Sequence, residues 1–481
     1  MKKQIVFLIA KQFFKKTFSS KGLFALLSLF LVILVYVTIT GWYAFKAHHH
    51  VVEHHQEQSR QSWESNPDKH PHRMAHFGTF AFREQHPLSI FDSGIESYTG
   101  NAIFLEAHRQ NTANFSEASL STGLVRFGDL NIALLLQLIL PLIIFFIGYS
   151  SITAEKENGT LKMIYLQGAT IKEVLLGKSL GIFLISALFF IPAFIALWSI
   201  TFLETHALHS AIVIRVGLLT VAYLLFYLLL SGLTAIVSGK SSSSNKALLT
   251  LLGSWLLFFI LIPKTAQVIG NSMYPNLSKI AFRAAIEEEV AKQGDSHNPN
   301  DPYFNQLRDS ILKANHVTDV KDLPFNYSGF LMRKGEEQSA ITYSNQHKKL
   351  IETYRKQNSI SNSLVLLNPY LAIKNLSMSL SATDFETYIN FLLQTEEYRY
   401  KQSQYMNELQ MKFISNKATS SEGKVHVVDK SYWASAPKFT YAYVSIFKTL
   451  VNQTLSIVAL FLWLFLMILI VHQFSNRFKI L

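Results

Sequence analysis

The sequence contains no cysteine, and only 16% of its 481 residues are charged. The lack of cysteine excludes disulfide bonds and thiolate metal sites. The scarcity of charge is unusual, because roughly 25% of the residues of soluble globular proteins are charged. Hydrophobic residues make up 49% of the chain, and 37 positions are phenylalanine. This balance excludes an ordinary soluble enzyme and is typical of a protein embedded in a membrane.

Long uncharged segments account for most of this apolar content. A helix needs about 20 apolar residues to cross a bilayer. The sequence has six such runs, Leu23–Phe45, Leu130–Ile152, Leu180–Leu203, Ala211–Val237, Ala247–Val268 and Leu450–Val471. The first is too long for a signal peptide and lacks a small-residue cleavage site, so we expect an uncleaved span. The sequence therefore predicts an all-α polytopic membrane protein with six transmembrane helices, at 22–45, 130–152, 179–203, 211–238, 247–268 and 450–472.

The net charge of +12 is concentrated in short segments beside these runs. Lysine and arginine recur in residues 1–21, 153–178, 239–246 and 473–481, whereas residues 204–210 contain neither. Because basic residues on short loops stay in the cytoplasm, we expect both termini there and two periplasmic insertions, at 46–129 and 269–449. Residues 1–21 mix Phe and Ile with regularly spaced Lys, which predicts a helix lying along the inner membrane surface. The basic excess thus indicates topology and not a nucleic-acid partner.

The two long insertions differ in pattern. Residues 46–129 are rich in His, Pro and Gly, which predicts irregular structure with a short helix near Ile103–Gln110. Residues 269–449 are predicted to be mostly helical, because apolar and charged positions recur at helical spacing in Ser278–Lys292, Asn305–Ala314, Glu336–Gln357 and Phe385–Asn407. Lys424–Val428 is a candidate strand.

A complete nucleotide-binding loop is also missing. Gly177-Lys178-Ser179 and Gly239-Lys240-Ser241 contain the last letters of a P-loop, but the Gly required five positions earlier is replaced by Lys172 and Thr234. Both triplets adjoin predicted spans, where Lys is expected at the interface. We therefore expect no cofactor in this chain, and any ATP must be bound by a partner.

The segment after the second run predicts a short helix held between two spans. Gly159 should end the preceding helix, Thr160 should cap a two-turn stub over Leu161–Gln167, and Gly168 should end that stub. Thr170-Ile171-Lys172-Glu173 then forms a capping box that starts the next helix. A stub that combines Leu161, Ile164 and Tyr165 with polar neighbours is suited to docking in a pocket on another protein. The alternative is an ordinary cytoplasmic loop that happens to contain caps.

This segment resembles a known signature. Glu155-Lys156-Glu157-Asn158-Gly159-Thr160-Leu161, followed by Gly177-Lys178, is similar to the E-x-E-x-G-T-L…G-K pattern of ABC-2 type transporter permeases. Further stretches resemble the subgroup that carries the domain of unknown function 3526. These are Ala75-His76-Phe77-Gly78, His86-Pro87-Leu88, Leu105–Asn111, Leu367–Leu371, Leu376–Leu380 and Thr383-Asp384. Residues His48–Glu64 match nothing in this pattern.

The resemblance implies the permease subunit of an exporter in the bacterial inner membrane. The stub would be the coupling helix that docks on a separate ABC ATPase subunit, which binds ATP and Mg²⁺. A second permease subunit, identical or closely related, would complete the transporter. The residues that match the coupling segment, or lie in the predicted stub, are Glu155, Glu157, Gly159, Thr160, Leu161, Ile164, Tyr165 and Gly168. Residues 239–246 are a second, weaker candidate contact.

Histidines are concentrated in the first insertion. His50-Val51-Val52-Glu53-His54 matches the inverted zinc-protease motif H-x-x-E-H, with His50 and His54 as ligands and Glu53 as the general base. No third ligand is evident, although Glu106 is conceivable. Weak metal binding or pH sensing is another hypothesis, and its candidates are His50, His54, His70, His72 and His76. Solvated and structural histidines remain the simpler alternative. For Glu106 and His108 we expect buried hydrogen bonding within the domain and no catalysis.

Four polar residues near the predicted spans are candidates for the substrate path, namely Gln137, Arg215, Asn452 and Gln453. An ionisable residue in a span is a functional candidate by default. Because Arg215 is near the outer end of its span, snorkelling to the surface would also explain it. Helix packing is the alternative for the other three.

Three functions therefore remain open. The first is an exporter permease that depends on a separate ATPase. The second is a membrane metalloprotease that requires zinc and Glu53. The third is an envelope scaffold or sensor that acts through its periplasmic domains.

Overall fold

The computed structural model describes residues 2–112, 130–205, 210–294, 298, 300–417 and 426–477. Within these ranges the chain is helical apart from one two-stranded sheet. Six of the described helices are long and apolar enough to span a membrane, namely Lys21–Glu64, Ile132–Glu157, Ile171–Leu203, Ser210–Lys240, Ser244–Met273 and Thr454–Ser475. The prediction of a polytopic helical membrane protein is thereby confirmed. Each predicted run overlaps one of these helices, although residues 130–131 of the second run and 450–453 of the sixth precede them.

The chain begins with helix α1 (Lys3–Phe18), which Lys21–Glu64 (α2) follows directly. The first span was expected to end near residue 45, but α2 continues through the histidine-rich stretch to Glu64. This stretch contains no Gly or Pro to end the helix, and its turns are anchored because Val52 and Trp63 are buried. The prediction of irregular structure from residue 46 is therefore wrong for residues 46–64.

The rest of the first insertion contains helix α3 (Pro71–Phe77) and strands β1 (Thr79–Phe82) and β2 (Ala102–Leu105). The strands are antiparallel, with Thr79 opposite Leu105 and Phe82 opposite Ala102. The helix expected near Ile103–Gln110 is thus wrong. Ile and Phe favour a strand once a partner strand is available, and β1 supplies one. Two 3₁₀ turns, Pro87–Ile90 and Glu96–Tyr98, connect the strands.

The second to fifth spans follow one another with short connections. They are α4 (Ile132–Glu157), α6 (Ile171–Thr205), α7 (Ser210–Lys240) and α8 (Ser244–Met273), and the stub helix α5 (Thr160–Leu166) lies between α4 and α6. Two spans contain a π-helical turn, at Leu135–Ile139 in α4 and Leu256–Leu261 in α8. The predicted loop at 204–210 includes residues 206–209, which lie outside the described residues.

The second insertion is helical, as predicted, and its helices are α9 (Lys279–Gln293), α10 (Pro302–Ala314), α11 (Tyr327–Leu364), α12 (Pro369–Leu380), α13 (Phe385–Phe413), α14 (Ser431–Ala434) and α15 (Ile446–Asn452). Helix α16 (Thr454–Arg477) is the last span and begins after a break at Gln453. Of the candidate strand Lys424–Val428, residues 424 and 425 lie outside the described residues, and Val428 forms only an isolated bridge with Lys69.

The spans pack around α7, whose Tyr223, Phe226 and Tyr227 are fully buried. One end of this bundle holds α1, the stub helix and residues 237–246, and we call it the short-loop end. The other end holds both insertions, and we call it the domain end. Helix α12 belongs to the second insertion, yet five of its residues join the apolar core of the spans. We call it the wedge helix.

Candidate functional site

Three charged residues at the short-loop end connect the stub helix to neighbouring spans. Glu155 forms an ion pair with Lys178 at the start of the third span. Lys156 donates to the carbonyl oxygen of Gly239 at the end of α7. Glu157 accepts hydrogen bonds from the backbone N–H and the hydroxyl of Ser244, at 2.8 and 2.7 Å. These residues, 155–157 at the end of α4, form a frame for the stub that is attached to three different spans.

The stub helix is set off from its neighbours by two glycines with positive φ, Gly159 at 74° and Gly168 at 91°. Gly159 itself is the N-cap, whereas the Thr160 hydroxyl donates back to the carbonyl of Glu155, so the predicted capping by Thr160 is wrong. The left-handed conformation at Gly159 turns the chain sharply enough to start the new helix without a side-chain cap.

The apolar residues of the stub are divided between two faces. Leu161 is only 3% exposed and packs with Ile152 and Leu175, and the half-buried Ile164 packs against the same cluster. Three large side chains point outward instead, namely Met163, Tyr165 and Leu166, which are 60%, 51% and 84% exposed. Of the three apolar residues selected from the sequence, only Tyr165 is on the open surface. Leu161 and Ile164 anchor the stub to its own protein.

Helix α1 packs against the start of the third span through two glycines. A side chain at Gly177 would place its Cβ 2.7 Å from that of Ile9, and one at Gly181 would approach the Phe13 ring to 2.9 Å. Glu173 completes the predicted capping box, because the Thr170 N–H donates to its carboxylate at 2.9 Å, and it also accepts from the Lys2 N–H. The G-K-S triplet at 177–179 thus lies inside a helix and serves packing and the ion pair to Glu155.

Side chains of the wedge helix and of two spans satisfy backbone carbonyls in the π-helical turns. Asn368 is fully buried, caps the wedge helix by accepting from the Tyr370 N–H, and donates to the carbonyl of Phe258 at 2.6 Å. In the other π turn, Tyr227 donates to the carbonyl of Leu136 at 3.0 Å, and Trp255 donates to that of Leu138 at 3.1 Å. Such partners are needed because hydrocarbon offers none.

A buried polar network joins the spans to both insertions. Gln137 lies on the π turn of α4 and donates to the Tyr223 hydroxyl at 2.8 Å and to Asp92 at 3.4 Å. Ser377 of the wedge helix donates to the same Asp92 oxygen at 2.5 Å and lies 3.0 Å from the Tyr223 hydroxyl. Burial raises the pKa of Asp92, although hydrogen bonds from Ser377 and the Gly94 N–H and the charge of Lys374 oppose this. We call the side chains of Asp92, Gln137, Tyr223 and Ser377 the Asp92 network.

Arg215 does not snorkel to the surface, so that interpretation is wrong. It is 3% exposed and donates to the carbonyls of Ser379, Leu380 and Val444 at 3.2, 2.9 and 2.6 Å. Ser379 and Leu380 end the wedge helix, where unpaired carbonyls and the helix dipole favour a cation. Arg215 therefore fixes the wedge helix to the fourth span.

The other two candidate path residues do not join this arrangement. Asn452 is exposed at the end of α15. Gln453 accepts from the Ser456 hydroxyl and lines a polar cavity of 670 Å³ together with Lys374 and Asn375 of the wedge helix. The four path candidates thus separate into two buried connectors and two residues near the surface.

The histidine candidates also separate. His50, Glu53 and His54 are exposed on α2, and among the described residues they belong to no group of three ligands. His70 caps α3, since its Nδ1 accepts from the His72 N–H at 3.2 Å. His72 and His76 instead meet His108, with all three ligand atoms within 4.8 Å of one another. His108 forms its close contact with Glu336 of the second insertion, at 3.1 Å.

Asp92, Glu336 and the wedge helix are the features that the sequence did not reveal. Asn368-Pro369 followed by an apolar run was an available signal for a helix start, since Asn favours the N-cap and Pro the first turn. No local pattern identifies Asp92 or Glu336, because Ser377 is 285 positions from Asp92 and His108 is 228 positions from Glu336.

A comparison with protein families gives a match to part of the chain. A search of curated proteins gave no match. The matched part runs from α9 to beyond α14 and includes the wedge helix and Glu336. Residues 279–442 match the family model described as Domain of unknown function (DUF3526) and carry such a domain, which confirms that part of the resemblance.

Proposed function

We propose that this protein is the membrane-spanning permease subunit of an ATP-binding cassette exporter of the ABC-2 type, situated in the bacterial inner membrane with both termini cytoplasmic. The observation that carries the proposal is the stub helix, which presents Met163, Tyr165 and Leu166 outward from a frame fixed to three spans. Exposed apolar side chains on a rigid support suit a docking surface, since little side-chain order must be gained on binding.

The division of the stub into two faces assigns different roles to its residues. Glu155 and Glu157 hold the frame through Lys178 and Ser244, and Leu161 anchors the helix. Tyr165 and Leu166 then make the contact with the ATPase. A partner that binds ATP and Mg²⁺ would move the stub, and the frame would pass that movement to the spans it touches. The ATPase can shift the equilibrium between two conformations of the spans only by the difference between its binding free energies for the two positions of the stub.

The partner is a P-loop ATPase, and two permease subunits, identical or closely related, would each hold one. The periplasmic side would then be the domain end, where the Asp92 network and Arg215 connect spans to insertions. This protein itself performs no covalent chemistry in the proposal.

Co-purification with the ATPase encoded nearest to this protein tests the proposal. The variants are Tyr165→Asp and Leu166→Asp, which place a charge on the exposed face without touching the buried anchor. Ile280→Asp is the matched control, because Ile280 is 81% exposed at the domain end, comparable to 84% for Leu166. We expect the wild type and the Ile280 variant to retain the ATPase and its ATP turnover, and each stub variant to lose at least 10-fold in affinity.

Equal retention of the ATPase by all four proteins would show that the stub is not the contact. If no ATPase associates with the wild type, the transporter proposal fails. A Glu53→Gln variant distinguishes the protease hypothesis, since an exporter would be unaffected by that change.

A further inference from the structure

Three histidines, two from helix α3 and one from the chain after β2, meet beside the two-stranded sheet. The ring centroids of His72 and His76 are 4.7 Å apart, those of His76 and His108 are 5.3 Å apart, and those of His72 and His108 are 5.6 Å apart. One nitrogen from each ring lies within 4.8 Å of the other two. We propose that His72, His76 and His108 bind a divalent transition-metal ion, Zn²⁺ before others. This site is independent of the proposed transport function.

The local fold explains why these residues meet. His72 and His76 are four positions apart on α3 and therefore share one helix face. The sheet pairs Thr79 with Leu105, which brings the chain just after β2, where His108 lies, beside the end of α3. The Ala107 N–H donates to the carbonyl of Ala75 at 3.3 Å, and both alanines are buried in one apolar cluster. The backbone that carries the three imidazoles is thus held in place by packing on its buried side.

Glu336 orients the third ligand. Its carboxylate accepts from the His108 backbone N–H at 2.9 Å and lies 3.1 Å from His108 Nδ1. An Nδ1–H donated to this carboxylate places the lone pair of the ring on Nε2, the arrangement found in carboxylate–histidine–metal sites. The Arg399 guanidinium donates to the other oxygen of this carboxylate at 2.6 Å and holds it in place. His108 is itself held at φ 60°, which few non-glycine residues adopt.

The donor set decides the class of metal. Three imidazoles suit Zn²⁺, Cu²⁺ or Ni²⁺, whereas Mg²⁺ and Ca²⁺ prefer oxygen ligands. Zn–N bonds of about 2.0–2.1 Å in a tetrahedron separate ligand nitrogens by about 3.3 Å, so the rings must move inward by roughly 1 Å. His76 is exposed, which leaves a side of the site open to water as the fourth ligand.

Metal titration of the full-length protein in detergent, after removal of bound metal with a chelator, tests the site. Co²⁺ absorption reports tetrahedral geometry, and competition between Zn²⁺ and a fluorescent chelator gives the affinity. We expect His76→Gln, at an exposed position, to weaken Zn²⁺ binding about 100-fold and to remove the Co²⁺ bands. Glu336→Gln should weaken Zn²⁺ binding about 10- to 100-fold, because the orienting acid is lost. The matched control is His50→Gln with His54→Gln, a pair also four positions apart but exposed on α2.

Two results would overturn the site. One is Zn²⁺ affinity in His76→Gln equal to that of the wild type. The other is loss of Zn²⁺ binding in the His50/His54 control, which would assign the metal to the exposed helix. Thermal unfolding of each metal-free variant accompanies the titration, and because His76 is exposed its variant should melt like the wild type.

Discussion

Replacing Asp92 by Asn should leave the protein as stable as the wild type, or more stable, at neutral pH. Asp92 is 5% exposed, and its burial raises its pKa, so ionisation at neutral pH costs free energy in the folded state. An amide has no such cost. It can still accept from the Gly94 N–H, which donates to Asp92 at 3.1 Å, and can donate to the Ser377 hydroxyl.

The contribution of Asp92 to the free energy of unfolding depends on pH, and this dependence sets the size of the expected effect. The folded pKa of Asp92 lies above the ordinary value of 3.8, so the folded state holds the proton more tightly than the unfolded state does. The free energy of unfolding contributed by Asp92 therefore falls as the pH rises from 3.8 to the folded pKa, by at most about 1.4 kcal/mol per pH unit, and is constant outside that window. The Asn variant lacks this slope.

Detergent-phase unfolding of wild type and Asp92→Asn between pH 4 and 8 measures the difference. Asp92→Ala serves as the control, because it leaves the Gly94 N–H and Ser377 without their partner and should cost about 1–3 kcal/mol for each buried unpaired group at every pH. The reasoning is refuted if the wild type becomes more stable than the Asn variant as the pH rises, since Asp92 would then carry a stabilised charge.

Two further changes test the helix contacts. Gly177→Val should lower the free energy of unfolding by about 1–3 kcal/mol, because its Cβ would lie 2.7 Å from that of Ile9. Protease cleavage within α1 is the second measurement. A variant that melts like the wild type would contradict the contact. Asn368→Ala should cost about 1–3 kcal/mol in the same unfolding assay, since it leaves the Phe258 carbonyl unpaired. Asn368→Asp keeps the cap on Tyr370 but sets a buried carboxylate against that carbonyl, so it should cost at least as much.

The spans were predictable because their signal is local. About 20 consecutive apolar residues define a span whatever surrounds them, and each of the six predicted runs overlaps one membrane-length helix among the described residues. The capping box at Thr170 and Glu173 was predictable for the same reason, since both partners lie within one turn. The end of the first span was not, because His, Gln and Ser form a helix only when tertiary contacts such as that of Trp63 hold it.

The orientation of the stub shows what a local pattern lacks. Periodicity identified Leu161, Ile164 and Tyr165 as apolar, but the buried face is decided by the cluster of Ile152 and Leu175 that Leu161 meets. The remaining face, with Leu166, became visible only from exposure. Glu336 was hidden for the same reason, because its partner His108 lies in the other insertion.

The stub helix and the Asp92 network are both attached to one continuous helix, the fourth span α7. Arg215 near its start holds the end of the wedge helix, Tyr223 in its middle contacts Ser377 and Gln137, and Gly239 at its end accepts from Lys156 beside the stub. A helix of 31 residues is about 46 Å long and has no Pro or π turn to absorb a displacement. In the proposed transporter, a displacement of the stub would therefore reach the wedge helix through α7, and docking at the short-loop end would be coupled to the Asp92 network.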